Sequence, residues 1–170
     1  MSRRAEGLAA LGRIATPTLI GLAGVILLAF PLRLGGGYVP TPVLPLVVVF
    51  FWTIYAPSYL PAASVFLIGL AQDFLSGGPL GLWPAVYLVT QYLVDSQRSY
   101  FLGREQRVVW IGFAFAATGA AIVLWLVMSL MTRTLLPLGG IALQMATTIT
   151  VFPFFSAAFR RLHRRVLREA

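Results

Sequence analysis

The chain has no cysteine, one histidine and five acidic residues, and the 64 residues between Arg33 and Arg98 carry two charges, Asp73 and Asp95. Each shortage excludes something. Without cysteine there are no disulfides, thiolate metal sites or cysteine nucleophiles. His163 lies in a run of arginines, so a serine–histidine intramembrane protease has no base. A metal site needs a cluster of histidines or carboxylates, and the sequence contains none. The expectation is a non-enzyme with no cofactor and no metal.

What is present is apolar. Hydrophobic residues make up 59% of the chain and charged residues 11%, with mean hydropathy +0.86. A soluble surface needs roughly a quarter charged residues, so the expected solvent is lipid. We read one integral membrane domain over residues 1–170, with a short cytoplasmic N-terminus (1–13) and a basic cytoplasmic tail (160–170). The net charge of +8 comes from arginines flanking apolar segments rather than from a folded soluble platform, so nucleic acid is not an expected partner. Arg3-Arg4 ahead of an apolar run resembles a signal peptide. The run from Arg13 to Arg33 is longer than an h-region of roughly 7–15 residues, however, and no small-residue cleavage box follows Phe30-Pro31-Leu32. It reads as a first transmembrane helix.

Crossing about 30 Å of hydrocarbon takes about 20 apolar residues. Ile14 to Leu34, Val108 to Met131 and Leu135 to Phe159 meet that length. Val43 to Val94 is divided into three shorter segments at Ala56-Pro57-Ser58-Tyr59-Leu60-Pro61 and at Ser76-Gly77-Gly78-Pro79. Arginines keep short loops cytoplasmic. Arg3, Arg4 and Arg13 precede the first span, Arg98, Arg104 and Arg107 form a central loop, and Arg160, Arg161, Arg164, Arg165 and Arg168 follow the last span. Both termini and the central loop are therefore expected inside. The fold class is all-α: a polytopic bundle of six transmembrane helices with Gly35 to Pro42, Leu75 to Gly81 and Thr132 to Thr134 facing out.

Asp73 is the conspicuous residue. With the third segment running from Tyr59 to Leu75, it falls in the last turn, where the helix dipole disfavours an acid. The glycines that follow, Gly77 and Gly78, and free amides at the start of the next helix near Pro79 can compensate it. Clamping the joint, contacting a partner, and handling a proton or ion all fit. Gln72, Trp83 and Gln91 join Asp73, Gly77 and Gly78 as candidates for shaping a partner groove. Gln144, Thr147, Thr148 and Thr150 either bond neighbouring helices or line a pocket.

Gly112, Ala116 and Ala120 recur every four residues along the fifth span, as do Ala142, Ala146 and Thr150 along the sixth, a spacing that permits close helix approach in lipid. The expectation is that these stripes pack the two helices together, with a docking face for another protein as the alternative. Arg160, Arg164 and Arg168 form a helical stripe with Arg161 and Arg165 beside it, suited to anionic lipid or to a cytoplasmic protein.

Phe51-Trp52, Gly69, and the string Asp73-Phe-Leu-Ser-Gly-Gly-Pro-Leu-Gly81, together with Pro153 in Thr150-Val-Phe-Pro-Phe and a basic tail from Arg160, resemble the rod shape-determining protein MreD family. That resemblance implies a non-catalytic subunit of the bacterial inner membrane belonging to the cell-elongation machinery. The implied partners are MreC, the RodA glycosyltransferase, an elongation-class penicillin-binding protein and the MreB cytoskeleton; a homodimer is compatible with it. It also implies a fold similar to the substrate-binding subunits of energy-coupling-factor transporters. Such a capture subunit is the alternative function, with Asp73, Gln72, Gln91 and Gln144 as polar ligands.

Overall fold

In the computed structural model the described residues are 3–29 and 40–168, the side chains of 3–11, 13, 14 and 159–168 excepted. Among the described residues there are seven α-helices, one 3-10 turn and no strand. The helices are α1 (Arg3–Ala29), α2 (Leu44–Tyr55), α3 (Ala62–Ser76), α4 (Leu82–Ser96), α5 (Arg98–Phe101), α6 (Gln106–Thr132) and α7 (Leu138–Arg168), with the turn Pro57–Tyr59 after α2. Gln106–Thr132 and Leu138–Ala158 are long and apolar enough to cross a membrane, and Ala15–Ala29, Leu44–Tyr55 and Ala62–Ser76 are shorter apolar helices.

Helix α2 is the centre. Its sequence Leu-Pro-Leu-Val-Val-Val-Phe-Phe-Trp-Thr-Ile-Tyr is apolar all round, which calls for neighbours on every side, and Leu44 through Ile54 are all buried. It ends because Pro57 follows: a residue before proline is pushed out of the helical region, and Ala56 lies outside that region at φ −154° and ψ 65°. Pro61 then starts α3.

Glycines set the approach of α1. A Cβ on Gly21 would lie 2.5 Å from Ile68 Cδ1 of α3, and one on Gly24 would lie 3.2 Å from Leu44 Cβ of α2. On the other side, Phe50 of α2 meets Phe113 of α6 and Phe152 of α7 edge-on, at 5.2 and 5.7 Å, and those two rings stack at 4.2 Å.

The α6–α7 seam depends on Pro153. A proline within a helix leaves the carbonyl four residues earlier without its donor, here Ile149 O, and Trp110 Nε1 of α6 donates to that oxygen at 2.8 Å. Gln106 Nε2 bonds Ser156 Oγ one turn below. This corrects the expected pairing of small-residue stripes. Ala142 and Ala146 are exposed, while Gly112, Ala116 and Ala120 face a groove beside α4. The Phe113–Phe152 stack and the hydrogen bonds from Trp110 and Gln106, rather than the two stripes, join these helices.

Candidate functional site

The joint between α3 and α4 begins with a close approach. Gly69 and Asp73 lie one turn apart on the buried face of α3. A Cβ on Gly69 would stand 2.5 Å from Pro84 N and 2.8 Å from Trp83 C, so only glycine lets the α4 backbone in. That contact brings the first turn of α4 beside the Asp73 carboxyl group. Asp73 is 1% exposed. Its Oδ2 accepts from Gly81 N at 2.6 Å and its Oδ1 from Trp83 N at 3.1 Å.

The N-terminal donors of α4 are therefore all placed. A helix leaves its first four amides without internal partners. Here Leu82 N bonds Pro79 O, Trp83 N bonds Asp73, Pro84 has no N–H, and Ala85 N bonds Gly81 O. The preceding helix thus supplies the cap of the next, placing an acid where α4's positive dipole end compensates its unfavourable position at the end of α3. Gly77 ends α3 in the left-handed region at φ 67°, and Gly81 enters α4 at φ 95°, conformations that favour glycine at both turns. Gly78 lies between them without a positive φ.

Below the clamp, Tyr87 Oη donates to Gln72 Oε1, and the Tyr87 ring lies 5.3 Å from that of Trp83. Gln72 is 2% exposed, and its Nε2 has no hydrogen-bond partner. Asp73 and Gln72 are thus interior residues that fix the joint, and the surface around them is formed by Phe74, Leu75 and Leu80, all exposed.

Gln91 does not join this group. Eight residues beyond Trp83, it lies about 12 Å further along α4 and donates from Nε2 to Leu60 O at 2.8 Å. It lines a second cavity of about 480 Å³ with Pro57, Pro61, Tyr92 and Asp95. At that same end Arg98 Nε donates to Ile54 O at 2.9 Å, tying the arginine loop to the last turn of α2. Asp95 and Asp73 therefore stand at opposite ends of α4, about 18 Å apart along its axis, beyond reach of a shared proton.

The polar residues of α7 hold the entry to α2. Gln144 Nε2 donates to Thr41 O, Thr147 Oγ1 to Pro40 O, and Thr148 Oγ1 accepts from the buried Val43 N at 2.9 Å. Thr90 and Thr150 bond the carbonyl four residues back in their own helices. Nothing in the sequence pointed to the Val43, Ile54 or Ile149 contacts, because each joins positions 39 or more residues apart.

Gly112, Ala116 and Ala120 line an apolar groove of about 510 Å³ between α4 and α6. Gly112 packs against the Phe101 ring of α5, which closes one end. The backbone of α7 continues as helix to Arg168, while the side chains of Arg160, Arg161, Arg164, Arg165 and Arg168 lie outside the described residues, as do Arg33 and the loop through Tyr38. Among the described residues no three His, Cys, Asp or Glu side chains come together as a metal site would require.

A buried apolar central helix, flanking helices of membrane-crossing length and a joint sealed by one acid define an all-helical membrane protein. A match to the family described as rod shape-determining protein MreD covers residues 11–161. The chain belongs to that family, a non-enzymatic group of shape-determining membrane proteins. Neither a curated protein nor a solved structure matches the chain.

Proposed function

We propose that this protein is a non-catalytic scaffold of the cell-elongation machinery in the bacterial inner membrane. It crosses six times through α1, α2, α3, α4, α6 and α7, with both termini cytoplasmic. The family match over residues 11–161 carries the reading. The Arg98 bond to Ile54 O supports the topology, because it puts the arginine loop and the Pro57 turn at one end and the Asp73 joint at the other. The kinship with energy-coupling-factor capture subunits belongs to the same proposal.

In this reading the outer end binds the transmembrane and juxtamembrane segment of MreC. RodA, an elongation-class penicillin-binding protein and MreB join the assembly, and the basic tail meets anionic lipid. Asp73 acts through the joint, holding α3 against α4 so that the exposed Phe74, Leu75 and Leu80 keep one arrangement.

Affinity purification of the tagged protein from its native membrane in mild detergent, followed by mass spectrometry, tests this. A single-span partner recovered with cell-wall synthases is the expected result. Recovery of two ATPases with an integral coupling subunit would replace the scaffold with a transporter's capture module.

A further inference from the structure

The cavity where α3 begins and α4 ends is lined by groups whose donors are largely spent. Thr53, its buried member, gives its hydroxyl hydrogen to Val49 O, and Gln91 gives one from Nε2 to Leu60 O. Leu60 N is taken by Pro57 O, and Pro57 and Pro61 have no N–H. What remains is mostly oxygen: Thr53 Oγ1, Gln91 Oε1 and both carboxylate oxygens of Asp95, beside the ring of Tyr92, which is 74% exposed.

Asp95 sets the sign of the cavity. Arg98, three residues on, is near enough in sequence to pair with it, yet its Nε is turned to Ile54 O. Among the described residues the Asp95 carboxylate accepts no hydrogen bond and forms no ion pair. It lies in the last turn of α4, at that helix's negative end, while α3 begins at Ala62 with its positive end. Those two half-charges offset one another, so the full charge of Asp95 decides.

An acceptor-rich cavity with one negative charge selects a donor-rich cation. A guanidinium carries five N–H groups and a flat face that can lie on Tyr92, so it suits this lining better than an ammonium. In the topology proposed above this end is cytoplasmic, the level at which membrane proteins concentrate arginine and lysine. A neighbouring span beside α3 and α4 therefore carries such a group at the cavity's height.

We propose that this cavity receives a basic side chain, arginine in preference to lysine, from the cytoplasmic edge of a partner protein's span. The choice of partner rests on the topology reading; the choice of charge rests on Asp95.

The test places a photo-crosslinker at Ala63, exposed and next to the lining Ala62, in the full-length protein in its native membrane, and sequences the captured peptide by mass spectrometry. The expected product is a peptide of another membrane protein with arginine or lysine at the edge of its span. Asp95→Asn should lower its yield roughly fivefold, the upper end for a partly exposed ion pair, and Asp95→Glu should keep it. Asp95→Arg, combined with aspartate at the captured basic residue, should restore it. Asp95→Asn loses no bond within the chain, so its Tm should match wild type and unfolding cannot account for the fall. Equal yield with Asp95→Asn overturns the inference, as does a captured peptide without a basic residue, capture of lipid alone, capture of the chain's own tail at 160–168, or no product. A cysteine at Ser99 that labels from the cytoplasm in the same membranes separates failure of this contact from failure of the topology.

Discussion

Replacing Asp73 by alanine removes the acceptor of two backbone N–H groups, Gly81 N and Trp83 N, in a part-buried joint. Each buried donor left unpaired costs about 1–3 kcal/mol, and loss of a helix cap alone costs about 0.5–2 kcal/mol. Both donors lie at a part-buried turn that some water can reach, so a total of about 3 kcal/mol follows. For a chain of this size that corresponds to a fall in Tm of about 6–12 °C, measured by tryptophan fluorescence of the purified protein in detergent. Asp73→Asn keeps one acceptor but turns an NH2 toward the second donor, so it should lie between alanine and wild type. Recovery of the co-purifying partner should fall with Asp73→Ala while membrane insertion does not. A Tm within about 1 °C of wild type for Asp73→Ala would refute the clamp, because two unpaired donors cannot cost so little.

Gly69→Ala should destabilise by about 1–3 kcal/mol, since its Cβ meets Pro84 backbone 2.5 Å away, whereas Gly21→Ala, facing the flexible end of Ile68, should cost less in the same thermal assay. Trp110→Phe keeps the ring but strips the donor from Ile149 O, and a loss of about 1–3 kcal/mol is expected; adding Pro153→Ala restores the helix's own bond and should recover most of it. Thr148→Val orphans the buried Val43 N and should cost a similar amount, while Thr150→Val, exposed and bonded within its own helix, should be near neutral. Single cysteines at Ser76 and Ser99 should label from opposite sides of the membrane; labelling from one side would overturn the six-span topology.

The apolar runs and the position of Asp73 were legible because they depend on local facts: the length of a hydrophobic stretch, an acid in a last turn, glycines after it. The donors that answer Asp73 could be sought only a few residues away, across a tight turn. The small-residue stripes show where periodicity stops. A four-residue spacing identifies a helix face but not the neighbour it meets: for Gly112, Ala116 and Ala120 it leaves the last span and another protein as candidates, and the structure turns them toward α4 and Phe101. Polarity alone makes Gln91 a groove candidate beside Asp73, yet the rise of α4 carries it toward the other end. Pro153 was visible, but its consequence was not, because the donor that answers it, Trp110, lies on another helix.

The helices differ in height. At 15 residues each, α3 and α4 rise roughly 22 Å, while the 27 residues of α6 rise roughly 40 Å. A bilayer with a hydrocarbon core of about 30 Å cannot match both flanks at once. In the six-crossing arrangement proposed above, lipid beside α3 and α4 must thin, or residues at their ends must reach outward to the interfaces, because leaning would lower the short helices further. Either response strains the surrounding membrane on one side of the molecule more than on the other. In that arrangement the strain is relieved where another protein of similar thickness replaces the lipid, so the short flank would favour neighbours of matching height even before any side chain touches them.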